Sequence, residues 1–155
     1  MSLHTELMNK GVNPMYFQEG LIKRFEPEEI RQTIHDLLCL PEHADIARAL
    51  GEAGLTIYPE SEDVLAINAL MAMIRQEWKQ VLEYTQTLLS VRSDKTSADV
   101  CLMMAKALAS RLDYQNALNV LTEALSKFPD NESMQSINIQ LLRLLHSSGL
   151  QHHHQ

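Results

Sequence analysis

An internal repeat constrains the fold of this chain more than any other feature. Residues 63–94 align with residues 99–130 at an offset of 36 positions. Eight residues of the first copy recur in the second: Asp63, Val64, Ala69, Arg75, Leu82, Leu89, Ser90 and Asp94. The helix starts, the turn and the helix ends coincide as well, so the alignment predicts a helical unit that is used more than once.

A further copy lies upstream and is marked by small residues. Ala117, Leu121, Ala124 and Pro129 have the spacing that Ala47, Gly51, Gly54 and Pro59 show earlier in the chain. Small residues let two helices cross closely, where a bulky side chain would clash. The predicted repeats are therefore residues 28–61, 62–97 and 98–131.

Apolar residues recur at helical spacing through most of the chain, and sustained alternation typical of strands is missing from the sequence. Seven helices are predicted, the first beginning at Pro27 and the second running from about Glu42 towards Leu55. The seventh helix, residues 132–147, caps the last repeat, and Gly149 shortly after it is predicted to stop the helix. Its inner face is predicted to hold Ile137, Ile139, Leu141 and Leu144, and its outer face Gln135, Ser136, Asn138, Gln140 and Arg143.

Both ends of the chain differ from this helical domain, which spans residues 27–149. Residues 1–26 are expected to be partly flexible and able to form a short helix over 15–25. Residues 150–155 are expected to be a disordered, His-rich tail.

Composition and charge narrow the class of protein. The net charge of −7 and the scattered Lys and Arg argue against a nucleic-acid ligand. The two cysteines, Cys39 and Cys101, lack any disulfide or metal spacing and are predicted to be buried apolar residues. Without a secretion signal or a membrane-spanning apolar run, a cytoplasmic location is expected.

The third repeat resembles the tetratricopeptide-repeat family. Met104 and Ala105, Leu108, Ala117, Leu121, Ala124 and Pro129 occupy the pattern positions of that family. The middle repeat departs from the pattern at Val81, Thr85, Leu88 and Ser93, and Cys101 replaces the expected aromatic residue. The resemblance covers about two thirds of the chain and implies an all-α, right-handed superhelix of three helix pairs plus a capping helix.

Residues with catalytic potential form no recognised signature. Carboxylates such as Glu28 and Glu29 stand at predicted helix starts, where they stabilise the positive helix end. His43 and the terminal run His152, His153 and His154 are the only metal candidates, and a tail of this kind favours no physiological site. We therefore expect no enzyme activity, no metal and no cofactor.

The first helices of repeats 2 and 3 are apolar nearly all round, which indicates cover on more than one side. In the tetratricopeptide family such helices line a concave groove. The resemblance places seven residues there: Ala66, Ile67, Leu70, Met73, Leu102, Met103 and Lys106. Three explanations stay open: tight core packing, a helix or extended segment of another protein, and the chain's own N-terminal segment or a second copy.

Two narrower comparisons refine the expected partner. Members that grip the carboxylate of heat-shock chaperones use a Lys, Arg and Asn cluster, but this chain has Gln32, Asp36, Ala66, Leu70, Leu102 and Lys106 at the matching positions. An apolar partner is therefore favoured. Residues 65–89 are also similar to the central repeat of type III secretion chaperones. The predicted function is non-catalytic protein binding, with a homo-oligomer or such a chaperone as alternatives and an enzyme or metal-binding protein as the least favoured one.

Overall fold

The computed structural model describes Leu3, residues 25–91 and residues 97–153, apart from the side chains of 148–153. These residues are helical or lie in turns, and no strand occurs among them. The all-α prediction is thus confirmed for the described part of the chain. The short helix predicted over 15–25 lies outside the described residues.

Seven α-helices and one 3-10 turn follow each other along the described residues. The helices are α1 (Pro27–Leu37), α2 (Ala44–Ile57), α3 (Glu62–Ile74), α4 (Trp78–Val91), α5 (Ala98–Ser110), α6 (Tyr114–Lys127) and α7 (Glu132–His153), and the 3-10 turn is Pro41–His43. Helices that are neighbours in sequence pack together: α1 with α2, α4 with α5, α5 with α6, and α6 with α7.

The turns of the chain repeat as the alignment predicted. Between α3 and α4, the backbone N–H of Glu77 donates to the carbonyl of Ala72 at 2.9 Å; between α5 and α6, Asp113 donates to Leu108 at 2.9 Å. Gln76 and Leu112, 36 positions apart, take positive φ angles of 60° and 65° in these turns. The two connections therefore share one backbone geometry.

The three pattern positions of each second helix are buried in all three repeats, although their residue types differ. The residues are Ala47, Gly51 and Gly54 in α2, Val81, Thr85 and Leu88 in α4, and Ala117, Leu121 and Ala124 in α6. Thr85 is tolerated inside because its hydroxyl donates to the carbonyl of Val81 at 2.8 Å. Burial is thus a property of the position, and the middle repeat keeps it with larger side chains.

The chain divides into an N-terminal half, Met1–Met71, and a C-terminal half, Ala72–Gln155. The core of the N-terminal half joins α1, α2 and the part of α3 up to Met71 through apolar side chains that include Ile30, Ile34, Leu50 and Met71. Leu3 is wholly buried in this core, and its backbone N–H donates to Glu29 Oε1 at 3.0 Å. Leu3 is therefore part of the folded N-terminal half.

In the C-terminal half, the main core joins α5, α6 and α7. It contains Cys101, Ala105, Ala117, Leu121, Ala124, Met134 and Leu141. The small residues Ala105, Ala117 and Ala124 lie where α5 and α6 meet, as expected for helices that approach closely.

Helix α7 differs from its prediction in two ways. It continues through Gly149 to His153, because one glycine inside a helix costs only about 1 kcal/mol and no proline follows it. Its buried side is formed by Met134 and Leu141, with Ile137 half-buried, whereas Ile139 and Leu144 are 50% and 43% exposed. The assignment of Ile139 to the inner face was therefore wrong, whereas Leu144 lies on the side towards α5 but is only partly covered.

Candidate protein-binding surfaces

An open pocket lies in the C-terminal half, between α5 and α7. It has a volume of about 290 Å³, and its walls come from Trp78 at the start of α4, from α5 and from α7. The lining residues are Trp78, Lys106, Ala109, Ser110, Ile137, Gln140, Leu141 and Leu144. We call this the α5–α7 pocket. Lys106 is the one charged residue in this lining, and its neighbours across the pocket are mainly apolar.

The other groove residues predicted for the C-terminal half pack more closely. Half-buried Met73 and Met103 both contact a small cluster formed by Ala72, Val81 and Ala107. Leu102 packs at the edge of the main core. These three side chains keep part of their surface accessible, while Lys106 is exposed.

The remaining predicted residues belong to the N-terminal half and are accessible to different degrees. Ile67 is only 3% exposed and lies in the core with Ile34 and Leu50. Ala66 is half-buried, and Leu70 is exposed. Within this half, Leu70 therefore offers the largest apolar surface of the three, and Ile67 is a core residue that offers almost none.

A second pocket, of about 320 Å³, lies on α5 between α4 and α6. Leu89, Met104 and Val120 contribute apolar walls, and Glu123 and Lys127 stand among the lining residues with Cys101. Burial raises the pKa of the Cys101 thiol; nearby Lys127 lowers this pKa and Glu123 raises it. A raised pKa keeps the thiol protonated at neutral pH, so Cys101 lacks the thiolate that nucleophilic chemistry needs.

The two cysteines have different surroundings. Cys101 is buried, as predicted, but Cys39 is exposed after the end of α1. The prediction that Cys39 is buried was wrong. It follows Leu37, the last buried residue of α1, by two positions, and a rotation of about 200° would place it on the opposite side even if the helix continued.

The described residues show no cluster suited to a metal ion. No group of three or more His, Cys, Asp or Glu side chains converges in that part of the chain. Likewise, none of the described helices combines the length and apolar character that crossing a membrane requires. Lys106 and Gln140 are the polar groups that border the α5–α7 pocket together with Ser110.

Comparison with known proteins adds no assignment. No protein-family model matches the chain, and no curated protein or solved structure is significantly similar to it. The properties of the two pockets therefore rest on the residues of this chain alone.

Several lining residues of the α5–α7 pocket were missed from the sequence. Ile137, Gln140 and Leu144 lie three and four positions apart, so they form one stripe of α7. Gln140 was assigned to the outer face because it is polar. The spacing of Ile137 and Leu144 around it would have indicated that all three residues share a side.

Proposed function

We propose that this chain is a non-catalytic protein-interaction module of the tetratricopeptide kind, acting as a scaffold, adaptor or chaperone. It binds an amphipathic helix or an extended apolar segment of another protein on the side formed by the first helices of its repeats. The observation that carries the proposal is the α5–α7 pocket, an apolar recess that remains open between α5, the first helix of repeat 3, and the capping helix α7.

The chemistry of the pocket suits an anchoring side chain of a protein partner. Trp78, Ile137 and Leu144 supply apolar walls, and burying an apolar side chain against them contributes to binding in proportion to the area removed from water. The volume of about 290 Å³ lies at the lower limit of sites for drug-sized ligands, which span about 300–1,000 Å³. One large apolar side chain is therefore a better occupant than a whole cofactor.

The polar residues of the pocket orient the partner. Lys106 is a cation on a chain of net charge −7 and favours a carboxylate next to the anchoring side chain. Gln140 and Ser110 can both donate and accept hydrogen bonds at the same rim. Half-buried Met73 and Met103 add flexible apolar surface on the first helices, which suits adaptable binding.

Two variants in the α5–α7 pocket and one control variant outside it test the proposal. A tagged chain is used to capture a partner, which is identified by mass spectrometry, purified and titrated by calorimetry. Leu144→Glu places a negative charge in the pocket, and Lys106→Glu replaces the positive charge of the pocket by a negative one. Each variant should weaken binding of the partner by about tenfold or more. Ile139→Glu is the matched control, since Ile139 has similar exposure on the same helix but does not line the pocket.

The proposed site is wrong if Leu144→Glu and Lys106→Glu both bind as the unmodified chain does while circular dichroism shows them folded. Self-association gives a different result. Light scattering over a dilution series would then show a concentration-dependent dimer, and Leu144→Glu would abolish it. That outcome would replace the foreign partner by a second copy of this chain.

A further inference from the structure

The start of α7 has the register of a first helix of the repeat. Ser61 Oγ accepts from the backbone N–H of Val64 at 3.3 Å before α3, and Asn131 Oδ1 accepts from the backbone N–H of Met134 at 3.0 Å before α7. Val64 and Met134 are both wholly buried. Because the cap and the buried residue correspond, the positions that follow them in α3 and α7 can be compared one by one.

The residue four positions after the buried one is asparagine in both helices. In α3 it is Asn68, whose side-chain amide is buried and donates to the carbonyls of Gly51 at 3.2 Å and Val64 at 2.8 Å. A Cβ atom on Gly51 would stand 2.6 Å from Asn68 Oδ1, so this approach to the backbone of α2 depends on glycine. The amide of Asn68 is therefore satisfied, and it joins α3 to α2.

The corresponding residue of α7, Asn138, has different surroundings. Leu121 precedes Asn138 by 17 positions, as Gly51 precedes Asn68. Leu121 is wholly buried, so a side chain stands where glycine leaves room. Asn138 Oδ1 is buried, and no donor among the described residues lies within hydrogen-bonding distance of it. This oxygen has lost its water without gaining a partner, which weakens the packing of α7.

Helix α7 has little other buried surface to offset that cost. Among residues 132–147, whose side chains the structure describes, only Met134 and Leu141 are buried. The shorter helix α5 buries five residues. Few buried apolar contacts are typical of a segment that opens locally. Helices α5 and α6 pack against each other, and α5 also packs against α4, so both keep a neighbour when α7 leaves.

Departure of α7 removes the α5–α7 pocket. Four of its lining residues lie on α7, namely Ile137, Gln140, Leu141 and Leu144, and the opposite wall comes from Trp78 and α5. The pocket therefore exists only while α7 is packed in place. Any molecule that contacts both walls stabilises this closed arrangement, because it binds that arrangement and not the open one.

We propose that α7 is a movable wall of the α5–α7 pocket. It leaves α5 and α6 in local openings while the rest of the C-terminal half stays folded, and the unpartnered Asn138 makes these openings more frequent. The closed arrangement forms the pocket, and the open arrangement removes it. The movement goes beyond the proposed function, since it belongs to the chain without any partner.

Hydrogen exchange of the full chain, measured by mass spectrometry of peptic fragments, tests this movement. Backbone amides of residues 135–145 in α7 should exchange at least about tenfold faster than those of residues 101–108 in α5 and 118–125 in α6, after correction for intrinsic rates. Local opening exposes the amides of α7 alone, whereas those of α5 and α6 wait for a larger unfolding event.

The same substitution at the two asparagines should have opposite effects. Asn138→Met removes the unpartnered amide and introduces the residue that α5 has at the corresponding position, Met104, so it should slow exchange in α7 by about tenfold. Asn68→Met is the matched control. It removes two hydrogen bonds and should speed exchange in α3 by about tenfold or more.

A third variant separates local opening from unfolding of the whole half. Val81 of α4 is wholly buried in a cluster with Ala72 and Ala107, and no described residue of α7 belongs to that cluster. Val81→Ala should speed exchange in α5 and leave exchange in α7 unchanged. The closed and open arrangements of α7 lose the same contact, so their relative stability stays the same.

Three results would overturn the proposal. The amides of α7 would exchange no faster than those of α5 and α6, or Val81→Ala would speed exchange in α7 as much as in α5. In the third, Asn138→Met would be folded by circular dichroism and yet exchange in α7 as fast as the unmodified chain. All three measurements use the chain alone, so a failure here leaves the binding test of the α5–α7 pocket intact.

Discussion

Replacing Gly51 by alanine should destabilise the N-terminal half, even though alanine is the better helix former. Gly51 lies within α2, and a Cβ atom added there would stand 2.5 Å from Met71 Cε and 2.6 Å from Asn68 Oδ1. Carbon atoms in good packing stand about 3.5–4.0 Å apart. Both neighbours must therefore move to make room for the methyl group.

The two neighbours differ in how easily they can move. Met71 Cε is the end of a flexible side chain and can shift at little cost. Asn68 is buried, and its amide donates to the carbonyls of Gly51 at 3.2 Å and Val64 at 2.8 Å. Moving Asn68 weakens both hydrogen bonds, and each contributes about 0.5–1.5 kcal/mol.

The expected magnitude follows from these contributions. Two weakened hydrogen bonds and an overpacked site cost together about 2–5 kcal/mol, and the higher helix propensity of alanine recovers about 1 kcal/mol. We therefore expect Gly51→Ala to lower the free energy of unfolding by about 1–4 kcal/mol. Urea denaturation followed by far-UV circular dichroism measures this change through the midpoint and the slope of the transition.

Gly54 provides the matched control on the same helix. A Cβ atom there would stand 3.3 Å from Val64 Cγ1 and 3.4 Å from Ile30 Cγ2, which requires only a small adjustment. Gly54→Ala should stay within about 1 kcal/mol of the unmodified protein because the propensity gain offsets the tight contact. In a double-mutant cycle, Asn68→Ala should remove most of the effect of Gly51→Ala. If Gly51→Ala is as stable as Gly54→Ala, the assigned role of Asn68 is wrong.

Two further predictions concern Leu112 and the two cysteines. Leu112→Gly should stabilise the protein by about 0.5–1 kcal/mol, because Leu112 holds a φ of 65° and its side chain is 73% exposed. Leu112→Ala keeps a Cβ atom and should not stabilise it. A loss of stability in the glycine variant would contradict this reasoning. At pH 8, iodoacetamide should modify exposed Cys39 before buried Cys101, whose pKa is raised by burial. Mass spectrometry of the digested protein measures the order of labelling. Faster labelling of Cys101 would contradict the prediction.

Much of the helical architecture could be predicted because it depends on local signals. Residue spacing indicated the helices and the repeat offset, and the turns at Gln76 and Leu112 share the geometry that this offset implies. The buried positions Val81, Thr85 and Leu88 also follow from the offset. A position in the repeat determined burial more strongly than the size or polarity of the residue placed there.

The binding surfaces were harder to predict because they depend on which sides of a helix have neighbours. The sequence of α7 offers apolar residues on several sides, and only the packing against α5 and α6 selects Met134 and Leu141 as the core side. Ile67 resembled a surface residue by register but lies in a core. The groove set as a binding site stays a prediction, as does its partner.

The matching turns at Gln76 and Leu112 also define a removable cassette. Because both turns have the same backbone geometry, residues 77–112 could be deleted and Gln76 joined directly to Asp113 without creating a new kind of junction. The same junction would accept an inserted copy of these residues. Each such deletion or insertion would change the chain by one repeat of 36 residues, with the same turn geometry at the junction.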